Sequence, residues 1–270
     1  MSASSQSGFL ETLYQNLRTD KLVLPTLPEI ALTVRDVVQD ENSSLSDVAK
    51  VIHQDAALAA RLIQIANSPL LKSRTPIESV DMAVMRMGGT MVKNIVTAMV
   101  MEQLFQATHE ITDRKLHECW QHASEVSAIA MGIAMQYPHY QGDQAMLAGL
   151  VHDIGILPIL TMAEDYPDLL ADEAQLDDLV YRAHPYIGQA ILEQWNFPAS
   201  LVNVPREHEN LDYESNGDPD YVDLIIVANL QCERNHGRAP ADLESISAFR
   251  KLGVGSDFEA VGMELVSAGG

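Results

Sequence analysis

At 270 residues the chain is long enough for one large domain or two small ones, and its 47% apolar content allows a sizeable core and excludes global disorder. The formal net charge is -21 and uneven: residues 1–110 carry 9 Lys and Arg against 12 Asp and Glu, and residues 111–270 the remaining 8 and 26. This balance opposes nucleic acid and anionic lipid as partners, and an acidic second half repels a phosphate ester unless a metal ion supplies positive charge.

The opening "MSASSQSGFLETLYQNLR" has no apolar signal core, and no stretch reaches the roughly 18 uninterrupted apolar residues of a membrane helix. Cys119 and Cys232 form neither a zinc spacing nor a disulfide framework. The expectation is a soluble cytoplasmic protein with reduced thiols, with neither nucleic acid nor membrane as partner.

Helical periodicity dominates the chain. "LPTLPEIALTVRDVVQ" repeats apolar residues at Ile30, Leu32, Val34 and Val37-Val38. "SLSDVAKVI" opens on a capping-box pattern, Ser44 to Asp47, and "AALAARLIQIAN" follows after a short turn. "ESVDMAVMRMG" ends at Gly88-Gly89 and "TMVKNIVTAMVMEQLF" restarts at once. Met82, Met85 and Met87 read as core filling. These elements predict a bundle of about five short helices.

"ATHEITDR" then breaks the apolar pattern where the charge balance changes, which places a boundary near 107–114. A second helical series follows: "KLHECWQHASEVSAIAMGIAMQ", "DQAMLAGLVHDIGILPILTMA", "PYIGQAILEQW", "PASLVNV" and "YVDLIIVANLQCERN". "SISAFRKLGV" and "SDFEAVGMELV" read as terminal helices. Pro205 is expected to end or kink the segment before it.

The residues that could do chemistry lie in this second series. His152 and Asp153 sit side by side in "AGLVHDIGIL", where burial costs several kcal/mol unless they are paired or bound to something. Read as helical neighbours, they point about 100° apart and share an ion only at the helix edge. Imidazole beside carboxylate suits iron, manganese or zinc; a polar pair capping itself in a core is the plainer alternative. Glu118 and His122, four apart, share a helix face. His184 precedes Pro185, which suits the first position of a helix, and so reads as a loop residue. His208 lies among acids in "REHEN". The other histidines, His53, His109, His117, His139 and His236, carry no chemical signal and read as structural or exposed. No nucleophile elbow, phosphate-binding glycine loop or dinucleotide fingerprint is present.

Taken together, "LPTLPEI", "VIHQDAALAARLIQIANSPLL", "PIESVDMAVMRMGG", "CWQHASEVS", "AGLVHDIGIL", "AHPYIGQAILEQWNFP" and "REHEN" resemble the HDOD domain, a relative of the HD and HD-GYP phosphohydrolases, over about residues 22 to 232. The resemblance implies an all-α, two-lobed helical bundle: an N-terminal lobe over 1–110 and an HD-like lobe with a helical cap over 111–270. It implies metal ligands at Glu118 and His122 (the Glu-x3-His element), His152 and Asp153 (the HD pair), His184 and His208, holding one or two divalent ions, or none. Against the HD-GYP pattern, Ile156 replaces a lysine, Glu207 replaces a histidine, and Asn229 replaces a ligand aspartate, with Glu207 and Asn229 at the periphery of the site. Asp223, six residues before Asn229, falls on another helix face. "NGDPDY" lacks the GYP element.

Two readings follow from the resemblance. The first is a bacterial signal-transduction and protein-interaction module with a partly retained, weak or inactive HD metal site, whose partners are signalling proteins on separate chains. The alternative is a metal-dependent phosphohydrolase acting on a nucleotide or other phosphate ester, with Glu207 or Glu209 as base. DNA binding through residues 44–67 is disfavoured, because Lys50 and Arg61 are the only basic residues there.

Overall fold

The computed structural model describes residues 3–19, 21–68, 71, 75–215, 217–240 and 242–254. Among them the chain is all-α, with no strand. The first helices are α1 (Ala3–Arg18), α2 (Glu29–Gln39), α3 (Leu45–Ile52), α4 (Ala56–Ala66) and α5 (Val80–Met101). The predicted capping box forms: the Asp47 carboxylate accepts from the Ser44 backbone N–H at 3.0 Å and from its hydroxyl at 2.7 Å. The break anticipated at Gly88-Gly89 is a kink within α5, where Gly88 takes φ 77°. Met82 and Met85 do not fill the core as expected. They are 36% and 72% exposed, because the buried face of this segment is carried by Val80, Ala83 and Val84.

The second series is α6 (Glu110–Ala134), α7 (Gly142–Val151), α8 (Ile156–Ala163), α9 (Pro167–Leu170), α10 (Glu173–Gln194), α11 (Ala199–Val202), α12 (Val204–Glu207), α13 (Tyr221–Asn235) and α14 (Ser247–Leu252). α6 starts inside the expected boundary segment. His109 accepts from the Ile111 N–H, and Glu164 at the end of α8 accepts from Thr108, the His109 N–H and Thr112. The polar residues of "ATHEITDR" are therefore the N-terminal fastening of α6. "SDFEAVGMELV" lies outside the described residues.

Two segments differ from the sequence reading in ways that shape the site. "DQAMLAGLVHDIGILPILTMA" is α7 and α8 with a turn at 152–155, so His152 and Asp153 sit at a helix end. His184 is in mid-helix, and Pro185 lies inside α10. The buried stripe Leu176, Leu179, Ala183, Ile187 and Ile191 runs through the proline at helical spacing. That burial offsets the roughly 3 kcal/mol an internal proline costs.

α6 packs along α7 and α13, and α10 packs on α8 and α12. α5 packs on α7, where buried Asn94 donates to Asp143 at 2.7 Å. The stretch 142–163 is long and apolar enough to cross a membrane by length and composition, and 78% of its most apolar window is buried within the fold.

Candidate metal centre

The HD turn is pressed onto α10 by an absence of side chains. A Cβ on Gly155 would lie 2.0 Å from the His184 carbonyl oxygen and 2.6 Å from the Gly188 nitrogen. A Cβ on Gly188 would meet Pro205 at 2.6 Å. These two glycines let the backbones carrying Asp153, His184 and His208 approach one another.

His152, His184 and His208 are fully or almost fully buried, and each offers Nδ1 to a backbone carbonyl: Gly149 at 2.7 Å, Val180 at 3.0 Å and Pro205 at 2.9 Å. A carbonyl only accepts, so Nδ1 carries the proton in all three and Nε2 presents a lone pair. The Nε2 atoms converge. His152 and His122 face each other at 3.3 Å, and His184 and His208 at 3.4 Å. Asp153 lies between the pairs. Its Oδ2 is 3.3 Å from His152 Nε2 and 3.9 Å from His122 Nε2; its Oδ1 is 3.3 Å from His184 Nε2 and 3.2 Å from His208 Nε2.

Such a set of inward lone pairs around a carboxylate is repulsive without positive charge at its middle. A proton supplies part of it: burial pushes the His152 pKa down, but the Asp153 charge and hydrogen bond overcome this and leave it raised. Burial and the neighbouring imidazole push His122 down, and burial holds His184 down at about 4. Asp153 stays well below the usual carboxylate range, since its histidine partners outweigh its burial. Borderline divalent ions such as iron, manganese or zinc fit this donor set better than a proton. Each Asp153 oxygen, with its two imidazoles, forms a group that could hold one ion, and outer carbonyls fix three of the four rings in the way that metal-ligating histidines are held.

Other candidates fall elsewhere. Glu118 pairs with Arg114 at 3.2 Å at the mouth of a cavity of about 470 Å3 that His122 also lines. Lys115, Ile156, Glu233 and Arg238 line the same cavity, with Ile156 part of its apolar wall. Glu207 accepts from Asn210 at 3.0 Å in a local contact. Buried Asn229 has an unpartnered Oδ1. Asp223 caps α13 by accepting from the Asp220 N–H at 3.1 Å. Glu209, 3.7 Å from His208 Nε2, is raised by burial.

His122 is the exception among the four histidines. Its Nδ1 faces Cys232 Sγ at 3.6 Å and Glu233 at 3.9 Å in place of a carbonyl. Neither Cys232 nor His236 is a site candidate on sequence alone. In the structure Cys232 donates to Glu125 at 3.4 Å and His236 Nε2 stands 2.8 Å from the same oxygen. Their i, i+4 spacing across the C-terminal end of α13 is the signal that the sequence offers.

The HDOD domain family matches residues 24–211. The chain belongs to the HDOD family. This HDOD protein is similar in structure to a protein from Shewanella amazonensis SB2B named as a proposed metal-dependent phosphohydrolase: TM-score 0.85, 36% identity, 97% of this chain and 95% of that one. An HDOD domain protein of unknown function from Geobacter sulfurreducens shares the fold, at TM-score 0.67 and 22% identity over 96% and 92% of the two chains. A protein of uncharacterised function from Treponema pallidum is 26% identical over 234 residues, 80% of this chain. The HDOD chain spans 44% of the length of that relative.

Proposed function

We propose that this HDOD protein is a signal-transduction module whose HD-type centre binds one or two divalent ions and turns over phosphate esters weakly or not at all. His122, His152, Asp153, His184 and His208 would hold the ions. The observation that carries the reading is the Asp153 carboxylate set between two histidine pairs, with groups that anionic chemistry needs missing around it. Ile156 lines the cavity beside His122 in place of a cation. Asn229 offers a neutral amide where an anionic ligand is expected, and Glu207 faces its own loop. Phosphoryl chemistry relies on such charges, so their replacement lowers turnover more than it lowers ion binding. A bound ion would then serve to order the HD turn against α10 and α12, and partner proteins would read that order.

A second reading, a metal-dependent phosphohydrolase, draws on the cavity beside His122. It holds Lys115 and Arg238, which could meet a phosphate, and Glu209 is placed to hold or accept a proton. When bound, a divalent ion supplies Lewis acidity and lowers the pKa of water. The similar Shewanella protein bears a hydrolase name. Both readings are tested on purified protein by metal analysis and by hydrolysis of a generic phosphodiester, with His152→Ala as control. One or two bound ions that His152→Ala removes, without turnover, support the module. Turnover lost together with metal supports the enzyme. Absence of metal after reconstitution overturns both.

A further inference from the structure

We infer that Glu125, Cys232 and His236 form a separate thiolate-containing site for a zinc-class divalent ion on the far side of His122. Cys232 lies in the last turn of α13 and His236 caps its C-terminal end four residues on, and Glu125 faces them from α6. One donor atom from each of the three residues lies within 4.8 Å of the other two, and Glu125 Oε2 is 3.4 Å from Cys232 Sγ and 2.8 Å from His236 Nε2. A tetrahedral zinc site, with bonds of about 2.3 Å to sulfur and about 2.0–2.1 Å to nitrogen or oxygen, separates neighbouring ligand atoms by roughly 3.3–3.6 Å. The sulfur–oxygen distance is already in that range, and the nitrogen–oxygen pair needs to open by about half an ångström.

The three groups also suit one ion chemically. A thiolate, an imidazole and a carboxylate are zinc's own ligand types, and cobalt takes the same places. Cys232 is fully buried, whereas the Glu125 and His236 side chains are 49% and 43% exposed. A fixed inner sulfur with two outer ligands at the surface gives an ion an entry path and leaves a fourth position for water or a partner's side chain. At present one Glu125 oxygen takes both the thiol and the imidazole as neighbours; an ion would displace the thiol proton to solvent and take a lone pair of the neutral imidazole, which keeps its proton on the other ring nitrogen. The site adjoins the histidine centre through the 3.6 Å contact of Cys232 Sγ with His122 Nδ1, yet shares no ligand with it, so occupancy of one does not require the other.

The test is titration of the metal-stripped full chain with Co2+. Sulfur-to-cobalt charge transfer gives a near-ultraviolet band that imidazole and carboxylate ligands cannot produce, so the histidine centre is silent in it. Wild type, Cys119→Ser and Asp153→Asn should all show the band, and Zn2+ should bleach it. Cys232→Ser should abolish it. Glu125→Gln and His236→Asn, changes at exposed side chains, should weaken Co2+ binding in this band by at least ~10-fold, a loss already typical of groups one step outside a metal's ligands. No band in folded wild type overturns the inference. So does a band that survives Cys232→Ser, one lost in Cys119→Ser, or one lost in folded Asp153→Asn.

Discussion

Gly155→Ala probes how the centre is assembled without touching a ligand. The added Cβ would sit 2.0 Å from the His184 carbonyl oxygen, where ordinary contact begins near 3.4 Å, so turn and helix must part by about 1.4 Å. The obstacle is backbone on both sides, and no side chain can swing away. Forced overpacking of this kind costs about 1–3 kcal/mol, and a backbone obstacle puts this case at the upper end. Asp153 lies 3.3 Å from His184 and 3.2 Å from His208. A displacement of that size exceeds the ~0.2 Å tolerance of metal–ligand distances several times over. The variant should keep its helical circular dichroism, lose about 3 kcal/mol in urea unfolding of the metal-free protein, and bind divalent metal at least ~10-fold more weakly. Gly142→Ala is the matched control, because its Cβ meets nothing nearer than the Met131 and Met135 side chains at 3.6 Å. Full metal content and unchanged stability in Gly155→Ala would refute the claim that glycine packing sets the site.

Asp153→Asn should weaken ion binding at the histidine centre at least ~10-fold while leaving a folded protein, since the carboxylate set between the four histidines is removed; elemental analysis in a Cys232→Ser background, which removes the thiolate site, reads this directly. Asn67 holds the backbone of Ile77 at both ends, donating to its carbonyl at 2.7 Å and accepting from its N–H at 2.8 Å. Asn67→Ala should cost about 1–3 kcal/mol in chemical denaturation, and a loss under half a kcal/mol would count against it. Glu164 is held below the ordinary glutamate value, first by its hydrogen bond from Thr112 and then, against burial, by those from His109 and Thr108. A depressed folded pKa means the unfolded chain binds more protons, so this stabilisation is complete above the unfolded value near ~4.3 and is lost as pH falls through the folded value. Glu164→Gln should therefore lower the urea midpoint at pH 6 to 7 and converge with wild type in acid. A constant gap at all pH values would argue against the titration.

Much of this protein was determined by sequence alone, for local reasons. Helical periodicity, the Ser44–Asp47 cap and the glycine break at 88 depend on neighbours within a turn or two, and each is present in the fold. The ligand types were legible as well, because a buried histidine–aspartate pair demands a partner. Tertiary structure decided where those residues point. Pro185 read as a helix start and lies inside a helix, since long-range burial of the α10 stripe outweighs its local cost. Polar His208 became fully buried, and exposed-looking His236 met Cys232 and Glu125, through contacts between helices more than a hundred residues apart in the case of Glu125. Spacing along a chain fixes which residues share a helix face; only packing fixes which faces meet.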